Sequence, residues 1–196
     1  MIPPARSKLF AAWFSRYAER RLQRTFEAVQ VYGLDALASA VAGGPVLVVS
    51  NHTAWWDPLV AIVLCERILE VEAYAMMDAA NLRRLPFFTR VGAFGVDLTD
   101  PLDGARAIRL GAKLLSTPGR LVWLFPQGQE RPITARPLGF RPGSAEIARI
   151  SRRARVVPLA LRYEMGATPR PTLWISCGEA TEPGRDALAE RARQEA

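Results

Sequence analysis

Apolar positions recur along this chain at two different periods, and the switches between them divide it into elements. Over residues 7–31, Phe10, the adjacent pair Trp13-Phe14, Tyr17, Leu22, Phe26 and Val29 follow one another at spacings of three to five. That is the spacing of one helix face, and Arg16, Arg20, Arg21 and Arg24 occupy the remainder. A second short helix is predicted over 34–41, ending at Gly43-Gly44. Residues 45–50 then form a continuous apolar, β-branched run, which reads as a strand buried on both faces. Residues 51–56 read as a loop, with Asp57 as an N-cap before Pro58 at the first helical position of a helix over 57–68.

The alternation continues to the carboxyl end. Strands are predicted over 71–77, 94–98, 121–125, 156–163 and 172–177. Helices are predicted over 81–90 (interrupted at Pro86), 102–116, 143–152 and 188–194. On the helix over 102–116, Ile108, Leu110, Leu114 and Leu115 are the expected core positions. Residues 126–142 form a long loop rich in Pro, Gly and Arg. Strands that alternate with helices predict one α/β domain with a mostly parallel mixed sheet flanked by helices. Residues 1–42 form its amphipathic, basic, helical amino-terminal part, and residues 43–180 its core. Ligands of such sheets bind beyond the carboxyl ends of the strands, where His52 and the 126–142 loop both fall.

Composition narrows the function classes. A chain of 196 residues buries roughly 70% of its unfolded surface and needs neither disulfide nor metal to fold. The two cysteines, Cys65 and Cys177, are far apart, match no metal-ligand spacing and sit in apolar runs, so both read as small core residues. No continuous apolar stretch follows the first arginine as in a signal peptide, and no run reaches the roughly 20 residues that span a bilayer. The expected location is cytoplasmic. The net charge of +7, almost all from arginine, favours an anionic partner. No zinc spacing, RNP-like segment or KH-type loop is present, so nucleic acid is not the expected one. Aromatic residues mixed with arginines over 7–31 suit an interface with anionic phospholipids.

The single histidine, His52, is the one candidate imidazole base. It precedes Asp57 by five residues across a strand-to-helix turn. A carboxylate there can hold one ring nitrogen while the other removes a hydroxyl proton. By itself this HxxxxD spacing is weak evidence, and a helix cap beside a loop histidine is the plainer explanation of it.

Further blocks follow in order. Leu82-Arg83-Arg84-Leu85-Pro86 runs through Gly92 to Val96-Asp97. Then come Phe125-Pro126-Gln127-Gly128-Gln129-Glu130, Phe140-Arg141-Pro142-Gly143, and Val156-Val157-Pro158-Leu159-Ala160. With Asn51-His52 and Asp57, this ordered set resembles the HxxxxD glycerophospholipid acyltransferases of the bacterial lysophosphatidate (1-acylglycerol-3-phosphate) type, over roughly residues 45–161. The resemblance implies direct acyl transfer from acyl-CoA or acyl carrier protein, as co-substrate, to a lipid hydroxyl, with no other cofactor and no metal. His52 would be the general base and Asp57 its orienter, and backbone N–H groups around Gly128 would face the oxyanion. Asn51, Trp56, Gln127, Gly128, Gln129, Arg131, Arg141 and Gly143 would form the substrate sites. The protein would sit peripherally on the inner face of the cell membrane.

The departures from the family pattern bear on the acceptor. In FPEGTR the glutamate, threonine and arginine are here Gln127, Gln129 and Glu130, and the arginine expected after the second block's strand is Leu98. In the family those two arginines are associated with the acceptor's phosphate. Arg131, Arg136 or Arg141 remain as substitutes. The simpler expectation is an acceptor other than lysophosphatidate, such as a less anionic lysolipid or an aminolipid taking the acyl group on nitrogen. A non-catalytic lipid- or acyl-carrier-binding protein is the reading from another class.

Overall fold

A computed structural model describes residues 1–195. The first helix, α1 (Lys8–Thr25), starts at Ser7, whose hydroxyl accepts the Phe10 N–H at 3.4 Å. It buries Ala11, Phe14, Ala18 and Leu22 on one side. It stops at Thr25, short of the predicted end, and Ala28–Tyr32 forms strand β1 instead. Val29 and Val31 alternate with Gln30, and β1 pairs in parallel with β7 (Thr172–Cys177). Val29 matched the helical spacing by coincidence, and sheet pairing overrode the local pattern. Arg170 holds the break by donating to the carbonyls of Gln23 and Phe26.

The remaining elements are α2 (Leu34–Gly43), β2 (Val46–Ser50), α3 (Asp57–Val63), β3 (Glu72–Asp78), α4 (Ala79–Arg84), β4 (Ala93–Val96), α5 (Pro101–Leu114), β5 (Arg120–Leu124), α6 (Gly143–Ile150), β6 (Arg155–Glu164) and α7 (Ala187–Glu195). A π-helical turn, Leu64–Ile68, extends α3, and a 3-10 turn, Pro86–Val91, follows α4. The predicted helix over 81–90 is thus split at Pro86, as the missing proline N–H requires.

The seven strands form one sheet in the order β1-β7-β6-β2-β5-β3-β4. Every pairing is parallel except β6 with β7. This is the expected α/β domain. Helices α1, α2 and α3 bury one face with Leu37, Leu59, Val60 and Trp123, while α5 and α6 cover the other with Phe94, Ala107, Ile147 and Val156. Ile108 and Leu110 are only partly buried, against that second layer. Both cysteines are buried and free.

Strand register sets up the site. Val49 of β2 lies opposite Leu124 of β5, so the loops carrying His52 and Gln127 leave the sheet side by side. Ser50 lies opposite Leu159 of β6. β6 therefore runs five residues past the end of β2 and overhangs that loop.

Candidate active site

His52 Nδ1 lies 2.7 Å from Asp57 Oδ2. The same oxygen accepts the backbone N–H groups of Thr53 at 2.7 Å and Ala54 at 3.0 Å, and Oδ1 accepts the Tyr163 hydroxyl at 2.5 Å. Asp57 has no exposed surface. A carboxylate without partners is costly in such a place, and here four donors compensate it. Trp56, not Asp57, takes the N-cap position. Asp57 is the first residue of α3, and its carboxylate turns back into the loop, which closes the five-residue spacing. With the Nδ1 proton given to Asp57, Nε2 is left as the lone-pair nitrogen, and His52 lines the central cavity.

Beyond the Nδ1 bond, both the ring and the backbone of His52 are held. Its ring stacks on Phe125 at 4.5 Å. The His52 N–H donates to Gln127 Oε1 at 2.5 Å, and its carbonyl accepts the Arg131 N–H at 2.9 Å. Tyr163 was not among the residues singled out by sequence. Burial, then the Asp57 charge and hydrogen bond, hold its hydroxyl far above the ordinary tyrosine range. It is therefore a fixed proton donor to Asp57.

The expected substrate residues divide into two groups. Gly128, Gln129, Arg141 and Gly143 line the cavity. Asn51 does not: its amide donates to the Leu161 carbonyl at 2.8 Å and accepts the Leu161 N–H at 2.7 Å, clamping the loop to β6. Gln127 is buried, and its second bond goes to the Leu138 carbonyl at 3.3 Å. Arg131 donates to the same carbonyl at 3.0 Å. Both brace the 126–142 loop. Trp56 packs edge-on against Phe26 with Arg21 over its ring, while its neighbour Trp55 lines the cavity. The Gly128 N–H is committed to the Phe125 carbonyl at 3.0 Å. The N–H groups of Gln129 and Glu130 donate to nothing among the described residues.

The cavity holds about 850 Å³, near the upper end of the roughly 300–1,000 Å³ of small-molecule sites. Its walls are largely apolar. Among its charged and polar lining groups, Asp78 ends β3, Arg84 ends α4, Gln129, Glu130 and Arg141 lie in the 126–142 loop, and Glu66 lies in the π-helical turn after α3. Leu98 stands among the apolar lining. Among the described residues no group of three or more His, Cys, Asp or Glu is placed to hold a metal ion.

The arrangement is that of a base with a free nitrogen, a buried carboxylate that orients it, and a long apolar chamber opening beside both. Comparison with protein-family models matches residues 28–162 to the family described as Acyltransferase. No curated protein matches the chain.

Proposed function

Because the chain belongs to the Acyltransferase family, whose model spans more than half of it, we propose that it is a peripheral membrane O-acyltransferase. It moves a fatty acyl group from a thioester, acyl-CoA or acyl carrier protein, to a lipid hydroxyl. The observation that carries this reading is the His52–Asp57 pair at 2.7 Å opening on an apolar cavity of about 850 Å³. In the proposed reaction His52 Nε2 accepts the proton of the acceptor hydroxyl as its oxygen attacks the thioester carbon. Asp57 stabilises the imidazolium that results. The tetrahedral intermediate collapses with loss of the thiolate, which takes the proton from His52. The free Gln129 and Glu130 N–H groups are the proposed oxyanion donors.

The donor chain is assigned to the arm between α3 and β3, lined by Leu59, Ile62, Cys65, Ala75, Phe88 and Val91. Cys65 lies eight residues after Asp57, a rise of roughly 12 Å. Beside it Glu66, paired with Arg6 at 2.5 Å, ends the arm. Arg84 and Arg141 are the cations at the mouth for an anionic carrier or headgroup. Arg131 is occupied in the loop, and Glu130 and Leu98 disfavour a terminal phosphate at their positions. This supports an acceptor less anionic than lysophosphatidate.

Membrane attachment is assigned to the outer face of α1. Leu9, Trp13 and Tyr17 recur every four residues there and are 87%, 60% and 47% exposed, beside Arg16, Arg20 and Arg24. Aromatic and aliphatic groups flanked by arginines suit an anionic interface. Among the described residues no helix is long and apolar enough to cross a membrane. Deleting α1 would also strip core residues, so the informative variant replaces Leu9, Trp13 and Tyr17 with serine. It should lose sedimentation with anionic liposomes yet still act on detergent-dispersed acceptor. Unchanged sedimentation would overturn this assignment.

The reaction is tested with palmitoyl-CoA and palmitoyl carrier protein as donors and with lysophosphatidate, neutral lysolipids and aminolipids as separate acceptors. The proposal expects His52-dependent transfer to a neutral lysolipid. Preference for lysophosphatidate would refute the acceptor inference, and transfer to aminolipids alone would make the enzyme an N-acyltransferase. Binding without turnover would make the chain a carrier.

A further inference from the structure

The cavity is forked. Six consecutive residues of β3, from Ala73 to Asp78, all line it. Alternate side chains of a strand point to opposite faces. Ala73, Ala75 and Met77 pack with the α1 and α3 layer, and Tyr74 and Met76 with the α5 and α6 layer. β3 lies inside the sheet, between β5 and β4. The lining residues just past the strand ends, His52, Leu98, Phe125 and Pro126, join the two faces over the carboxyl ends of the strands. There are thus two arms that meet at the base, one on each side of the sheet.

The arms differ. The α3 arm ends at buried Cys65 and the Arg6–Glu66 pair. The α5 arm is lined by Tyr74, Met76, Leu98, Gly104 and Ile108, and Leu98 at its outer edge is 37% exposed. Gly104, in the first turn of α5, has nothing beyond its own stretch of helix within 4 Å of where a Cβ would stand. The wall is therefore open at the one lining position of α5 that carries no side chain.

We propose that the α5 arm is a second hydrocarbon site, and that it takes the acyl chain of the lipid acceptor while the donor chain occupies the α3 arm. The inference rests on the acyl-transfer reading and adds the acceptor's site to it. Two reasons assign the arms this way. A chain delivered on a water-soluble carrier needs burial, which the α3 arm provides: Leu59, Cys65, Phe88 and Val91 are all buried, whereas Tyr74, Met76, Gly104 and Ile108 of the α5 arm are only partly so. A lipid drawn from a bilayer enters through an apolar edge, which Leu98 provides. The fork holds both chains at once, with their reacting ends at His52. The acceptor is accordingly a lipid with one long chain and a hydroxyl near its headgroup, lifted out of the bilayer to react.

The test is direct binding, followed by intrinsic tryptophan fluorescence and calorimetry on the full chain. The probes are dodecanoyl-CoA and a series of lysophosphatidylcholines with octanoyl, decanoyl and dodecanoyl chains. Each methylene received by an apolar arm is worth roughly a fourfold gain in affinity. The wild-type protein should bind both probes together, one of each, with lysolipid affinity rising along the series. Gly104→Leu adds a side chain at a lining position where a Cβ meets no neighbouring atom. It should flatten that rise and weaken the dodecanoyl lysolipid tenfold or more, with dodecanoyl-CoA affinity held within twofold. Ala75→Leu, in the other arm, should do the reverse. Mutual exclusion of the two probes, or equal weakening of both by Gly104→Leu, would overturn the proposal. Absence of binding by dodecanoyl-CoA and, in the same assay, by dodecanoyl carrier protein would instead refute the acyl-transfer reading on which it stands.

Discussion

Tyr163→Phe isolates one contact of the site. Phenylalanine keeps the ring, which packs 5.5 Å from Phe26, and removes only the hydroxyl that donates to Asp57 Oδ1 at 2.5 Å. The other carboxylate oxygen keeps its three donors. A hydrogen bond to a charged group is worth about 1.5–3 kcal/mol, and Oδ1 is left buried without another partner among the described residues. The variant should therefore lose about 1.5–3 kcal/mol of stability, or roughly 3–12 °C in Tm for a chain of this size. Turnover should fall about ten- to a hundredfold, because the carboxylate that orients His52 gains freedom to rotate. The hydroxyl's proton is held far above the ordinary tyrosine range by burial and the Asp57 charge, so it does not titrate in the working range. From pH 8 to about pH 10, where a free tyrosine begins to ionise, the wild-type to variant ratio of kcat should stay constant. Thermal melts and thioester turnover over that range measure both effects. A stability loss below about 0.5 kcal/mol, or a ratio that changes with pH there, would refute the reasoning.

Other expectations follow from single contacts. Asp57→Asn can keep its two backbone donors if its oxygen takes the Oδ2 place, but the negative charge is lost. Its kcat should drop by about 10³–10⁴, read beside a melt that shows the fold is retained. Burial raises both thiols, Cys177 to about 11 and Cys65 further. Roughly a thousandth of Cys177 is then thiolate at pH 8, so iodoacetamide should modify neither cysteine until guanidinium unfolds the chain. Gly92 has φ +104° and no room for a Cβ, which would stand 2.3 Å from the Ala73 carbonyl. Gly92→Ala should cost at least about 1–3 kcal/mol, measured by denaturant unfolding.

The parts of the fold that were legible in the sequence are those where one signal dominates. Residues 46–50 are apolar without interruption because β2 is buried on both faces between β5 and β6. His52 stood out as the single histidine. β1 was missed because Val29 satisfies a helical period with Phe26 and a strand period with Val31, and only the partner strand β7, more than a hundred residues later, decides between them. Asn51 and Gln127 were recognised by type, but residue type does not show where an amide points. Both turn inward as struts, to Leu161 and Leu138. Asp57 has the chemistry of an N-cap and directly precedes Pro58, yet it is the first residue of α3, and His52, Thr53 and Ala54 turn its carboxylate back into the loop. Tyr163 lies 106 residues from Asp57. Its signal was the length of the strand over 156–163, which outruns β2 and so had to reach the loop. The fork of the cavity had no sequence signal, since it depends on both faces of β3 being left unfilled.

The account stands on His52 Nε2 as the base that removes the acceptor's proton. The most direct test compares kcat/KM of the wild-type protein and His52→Ala for one productive donor and acceptor, with a melt of each. General-base catalysis by a positioned imidazole contributes about 10²–10⁴-fold. The account predicts a loss in that range or greater at unchanged fold, and a variant that retains activity within about tenfold would contradict it.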